Sequence, residues 1–94
     1  KILLMNFVNT DILQVMKRLK FFTTKGCHLC EQAINLLDEL HDRYTFEMEV
    51  VDISNEENLV QKYGLIIPVV LNVENNELLC WPFDKDSVVK LLSD

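Results

Sequence analysis

Cys27 and Cys30 stand three residues apart in the stretch TTKGCHLCEQA, residues 23–33, immediately behind Gly26. Two thiols at that spacing support three chemistries. They can cycle between dithiol and disulfide, one attacking a substrate disulfide and the other resolving the mixed disulfide that results. They can supply half of a tetrahedral zinc site, or part of an iron-sulfur site, and then need further ligands. They can also be structural cysteines that behave as small hydrophobes. Further ligands are scarce, because Cys80 is single, His28 lies inside the pair and His41 falls near the far end of the helical pattern that follows. A C-x-x-C within a strand-helix-strand pattern is a comparatively specific redox signal. The redox reading therefore leads, and no metal site is expected.

Placement separates the roles of the two thiols. If the preceding strand ends near Thr24, Cys27 falls at the first turn of the helix, where unpaired N–H groups and the positive end of the macrodipole favour a thiolate. Thiols in such settings have pKa values of about 3.5 to 7.5. Cys27 is the expected nucleophile, and Cys30, one turn further in and beside Glu31, the expected resolving thiol. Gly26 permits a tight turn ahead of Cys27, and Lys25 adds positive charge. Lys25, Gly26, His28 and Leu29 are thus candidate substrate-contacting positions around the pair. Pro68, in IIPVV, removes a ladder donor from an otherwise strand-like run, which marks a strand end, a bulge or a cis peptide. A strand starting there, beside the helix N-terminus, adds Ile67 and Pro68 to the border of the pair. Cys80 is expected as a buried small hydrophobe, and His41 as a helix C-terminal cation when protonated.

The elements that must hold these residues follow from periodicity. LKFFTT reads as a buried strand. Leu29, Ala33, Leu36, Leu37 and Leu40 then form the apolar stripe of a helix. TFEMEVVDI alternates Phe46, Met48 and Val50 against Glu47 and Glu49, as a half-buried strand does. SNEENLVQKYG predicts a second helix with a Ser54 or Asn55 cap and a Gly64 stop. LIIPVVLNV, ENNE and LLCW predict a hairpin, with Asn75 and Asn76 supplying positive φ. In FDKDSVVKLL, Asp84 caps a last helix, and Phe83 with Val88 forms a hydrophobic staple. The order β-α-β-α-β-β-α implies a mixed four-stranded sheet with helices on both faces.

Composition bounds what such a domain can do. The chain has 94 residues, room for one domain. A net charge of -6 argues against nucleic acid, whose phosphates call for Lys and Arg. Three cysteines are too few for a secreted disulfide scaffold and fit a cytoplasmic protein. The opening KILLMNFV is far short of the roughly 20 apolar residues of a membrane span, and no membrane association is expected. Residues 1–15 show only a short helical pattern and are read as an extension of uncertain origin, with the domain at 16–94.

Strand, GCHLC, amphipathic helix, a strand ending in Asp52, a second helix, IIPVV, a hairpin and a final helix together resemble the thioredoxin superfamily in its short, glutaredoxin-type form. More narrowly, MKRLKFFTTKGCHLCEQA is similar to small bacterial glutaredoxin-like proteins. The resemblance implies an α/β three-layer fold and a dithiol thiol-disulfide oxidoreductase. In it, Cys27 attacks, Cys30 resolves, Pro68 is the cis-proline, and the backbone of Ile67 pairs with the substrate. Substrates would be disulfide-containing proteins or glutathione mixed disulfides; no cofactor is bound, glutathione is a candidate co-substrate, and a monomer is expected. The chain departs from the glutaredoxin pattern in three places, one being His28 and Leu29 between the cysteines, where glutaredoxins usually have a proline and an aromatic residue. Thr24 replaces the basic residue three before the first cysteine, and Trp81, Pro82 and Phe83 replace the glycines that help hold glutathione, leaving Asp84 as the acid. A non-catalytic binding module of the same fold, or a metal carrier, is the competing reading.

Overall fold

The computed structural model describes residues 17–93, so the assignment of residues 1–15 to an extension lies outside the described residues. The elements are β1 (Lys17–Thr23), α1 (His28–Leu40), β2 (Phe46–Asp52), a 3-10 turn (Ile53–Asn55), α2 (Glu57–Tyr63), β3 (Val69–Asn72), β4 (Leu78–Cys80) and α3 (Lys85–Ser93). The sheet order is β2-β1-β3-β4, with β1 parallel to β2 and the other two pairings antiparallel. This is the expected α/β, thioredoxin-like arrangement.

β1 is an inner strand covered on both faces, which is why it carries the unbroken apolar pair Phe21 and Phe22. Successive side chains of a strand point to opposite faces. Leu19 and Phe21 accordingly join Ala33, Leu37 and Leu40 of α1 and Val88, Leu91 and Leu92 of α3 in one core. Phe22 and Val69 join Ile53 and Tyr63 in a second core, where the rings of Phe22 and Tyr63 stack at 4.3 Å. Two cores about one sheet make the three layers. No helix among the described residues is long and apolar enough to cross a membrane.

Several local expectations change. Val50 is exposed, although alternation groups it with Phe46 and Met48, because β2 is an edge strand. Leu29 is exposed too, and the apolar stripe of α1 starts instead at Cys30. Ser54 and Asn55 lie in the 3-10 turn, where the Ser54 N–H and hydroxyl both donate to Asp52 Oδ1, at 3.0 and 2.8 Å. α2 opens one turn later, from Glu56, with no side-chain cap. Gly64 is right-handed, and its need is for space: a Cβ there would meet the Val60 carbonyl oxygen at 2.5 Å. In the hairpin only Asn76 takes positive φ, at 63°. Asp84 does cap α3, accepting from the Ser87 N–H at 2.9 Å.

Cys80 is exposed, against the expectation of a buried hydrophobe. Its cross-strand partner Val69 assigns its side chain to the α2 face, and the seven-residue α2 does not extend over β4 at the sheet edge.

One buried polar side chain ties β3 to α3. Asn72, fully buried, donates through Nδ2 to the Leu91 carbonyl and accepts at Oδ1 from the Glu74 N–H, both at 3.0 Å. Truncation in Asn72→Ala strands both backbone partners. We expect a loss of about 2 kcal/mol, read as a lower urea midpoint at unchanged slope; a change within error would show that water replaces both bonds.

Candidate active site

The cysteine pair sits where β1 hands over to α1. β1 ends at Thr23, and the chain turns at Gly26, whose φ of +75° lies in the left-handed region that glycine alone enters freely. Cys27 is the N-cap of α1, in extended geometry, and its Sγ accepts a hydrogen bond from the Cys30 N–H at 3.1 Å. Its carbonyl accepts from the Glu31 N–H. Cys27 and Cys30 form a disulfide with their Cα atoms 5.2 Å apart. The pair is asymmetric: Cys27 is half-buried, while Cys30 is 3% exposed within the α1 core. The Cys30 N–H is thus directed at the more accessible of the two sulfurs.

The other sequence-selected residues fall around this pair. Lys25, Gly26, His28 and Leu29 are exposed on either side of Cys27, and His28 Nδ1 lies 3.6 Å from Glu31 Oε1. The Ile67–Pro68 peptide is cis. The pairing of Phe22 with Val69 places the loop before β3 at the same sheet end as the cysteines. Ile67 and Cys27 both pack against the α1 core. The Ile67 N–H donates to the Tyr63 carbonyl at 3.1 Å. Cys80 and His41 are not part of the site; His41 caps the C-terminus of α1 and stacks on Phe46 at 4.0 Å. Among the described residues no group of three or more His, Cys, Asp or Glu gathers as a metal site would require.

Two residues were not selected from the sequence as site members. Trp81 packs on the α1 core, as Cys27 and Ile67 do, and its backbone N–H donates to the Pro68 carbonyl at 3.2 Å. The Trp81–Pro82 peptide is also cis. The W-P dipeptide was the available signal. Asp52 ends β2 opposite Thr23. Its carboxyl is held below the ordinary value of 3.8 first by the Ser54 backbone N–H and then by the Ser54 hydroxyl, with smaller help from the Thr24 hydroxyl and the Lys25 charge. Its hydrogen bonds hold the 3-10 turn at the end of β2.

Asp84 is lowered in the same way, by the backbone N–H and then the hydroxyl of Ser87. A carboxyl whose folded pKa is depressed contributes stability above its unfolded value, and that contribution is lost as pH falls through the folded pKa. The protein should therefore lose stability on acidification below about pH 4. Asp52→Asn/Asp84→Asn should flatten that part of the profile in thermal melts; an unchanged slope would place the acid sensitivity in other groups.

Comparison with known proteins gives a consistent picture. The family model described as Glutaredoxin-like domain (DUF836) matches residues 18–93. A structural-genomics target protein of X. campestris is 31% identical over 80% of this chain and 95% of its own, with a TM-score of 0.68. Protein Ne2328 of Nitrosomonas europaea is 32% identical over 81% of this chain and 91% of its own, with a TM-score of 0.71. No curated protein matches the chain.

Proposed function

Since the chain belongs to the glutaredoxin-like domain (DUF836) family of the thioredoxin superfamily, we propose that it is a dithiol thiol-disulfide oxidoreductase that reduces protein or glutathione mixed disulfides. The observation that carries this reading is the Cys27–Cys30 disulfide at the head of α1, with one sulfur reachable and the other buried.

The reaction has two exchanges. The Cys27 thiolate attacks one sulfur of the substrate disulfide; a new S–S bond forms, the substrate bond breaks and its second sulfur leaves as a thiolate. Cys30 then gives up its proton and attacks Cys27 Sγ, which breaks the mixed disulfide and releases the other substrate thiol. Two electrons have passed to the substrate, and the protein carries the Cys27–Cys30 disulfide. A dithiol or glutathione resets it. The N–H of Cys30 favours Cys27 as both attacking and leaving thiolate.

The test is reduction of a protein disulfide by excess dithiothreitol, with and without the protein. Acceleration proportional to protein concentration is expected, together with a fall from three free thiols to one when the reduced protein meets one equivalent of disulfide. A rate equal to that of dithiothreitol alone would overturn the reading.

A further inference from the structure

The surroundings of the disulfide select among its substrates. The strand registers bring four segments to one end of the sheet: the C-terminal ends of β1 and β2, the start of β3, and the end of β4, since Thr23 lies beside Asp52, Phe22 beside Val69, and Val69 beside Cys80. The loop bearing Cys27, the 3-10 turn running to Glu56, the loop before Pro68 and Trp81 therefore share that end.

Two properties of this end stand out. It is apolar beyond what a small polar substrate can use: Leu65 is 101% exposed, Ile66 42% and Leu29 46%. Leu65 is uncovered and the other two are nearly half exposed; Leu29 lies between the cysteines, and Leu65 and Ile66 shortly precede Pro68. The same end is also anionic. Glu31, Asp52, Glu56 and Glu57 are set against Lys25, whose charge already acts on the Asp52 carboxylate. Among the other described cations only Lys62, in the last turn of α2, adds a positive charge near this end, and the rest are placed or engaged elsewhere. Lys17, Arg18 and Lys20 begin β1 toward the opposite end of the sheet, Arg43 follows α1, Lys85 pairs with Glu39, and Lys90 lies in the last turn of α3.

We propose that the preferred substrate is a disulfide within a basic, apolar segment of a partner protein, and that glutathione is a poor one. This rests on the redox reading above and names its substrate class. Each half of glutathione disulfide carries two carboxylates against one ammonium, so it meets like charge here and leaves the aliphatic side chains uncovered. A segment with Lys or Arg near its cysteine and an aliphatic residue beside it satisfies both features, and opposite charge also speeds the encounter. The electron transfer is the two-step exchange already given, with a dithiol as reductant.

The test uses the full chain, reduced with dithiothreitol and desalted, against two synthetic peptides with the same internal disulfide and aliphatic neighbours. One carries lysines and the other glutamates; glutathione disulfide and the neutral dithiodipyridine complete the set. Second-order rates come from quenched mass measurements. The basic peptide should react at least about tenfold faster than the acidic one at low salt, and that ratio should collapse near 1 M salt, where screening reaches about 3 Å. Glu56→Gln/Glu57→Gln should narrow it. Equal peptide rates, a ratio indifferent to salt, or glutathione disulfide as the fastest substrate would overturn the substrate class while leaving the exchange chemistry standing. No reaction with any of the four, dithiodipyridine included, would overturn that chemistry and the proposal with it.

Discussion

Replacing Cys27 by serine should reduce catalysed disulfide reduction to the rate of the reductant alone, while Cys80→Ser retains it. The serine is a fair test because it can keep the local fold: its hydroxyl oxygen can accept the Cys30 N–H that Cys27 Sγ accepts at 3.1 Å, and serine is a good N-cap. What it removes is the nucleophile, since exchange requires a thiolate and a serine hydroxyl stays protonated at neutral pH. Cys80→Ser is the necessary companion because Cys80 is a free and exposed thiol that would otherwise contribute a background reaction. Full activity in Cys27→Ser would move the nucleophile to another cysteine. The assay is the dithiothreitol-driven reduction, run on both variants at equal concentration.

The largest stability effect should come from Phe21→Ala, at about 3 to 5 kcal/mol. Phe21 is fully buried at the centre of β1, in register with Val50 of β2 on one side and Val70 of β3 on the other. It belongs to the core formed by α1 and α3 beneath the sheet, with Ala33 and Leu37. Removing the ring deletes the surface on which the redox helix rests and leaves a cavity in close-packed surroundings. Small domains have only about 5 to 15 kcal/mol in total, so the variant should show a sharply lower urea midpoint. Phe21→Leu, which keeps most of the volume, gives a graded second point if the alanine form does not fold. A loss below 1 kcal/mol in Phe21→Ala would mean that α1 is seated by other contacts.

Much of this organisation is legible along the chain, and the reasons differ by element. β1 and α1 are strongly patterned because they face the core, so the placement of Cys27 at a helix cap and Cys30 one turn inside could be read from spacing. Pro68 is conspicuous because a proline inside an apolar strand needs an explanation. Three features stayed hidden because they depend on neighbours in space. The exposure of Cys80 and Val50 reflects sheet order, which places both at edges that no local pattern announces. Leu29 counts as apolar stripe by periodicity, yet it lies on the first turn of α1, above the core rather than against it. The 3-10 turn arises because Asp52 captures Ser54, an i to i+2 bond that competes with helix initiation and delays α2 to Glu57. Trp81 enters the site through the β3–β4 register, which no single segment reveals.

The most direct measurement is the intact mass of a reduced Cys30→Ser/Cys80→Ser variant after mixing with a disulfide substrate. With the resolving thiol gone, the first exchange should stop at a mixed disulfide. One substrate half should be added per protein, mapped to Cys27 and released by dithiothreitol. No adduct, or an equal adduct in the matching Cys27→Ser/Cys80→Ser variant through Cys30, would contradict Cys27 as the attacking thiol and with it the directional dithiol mechanism.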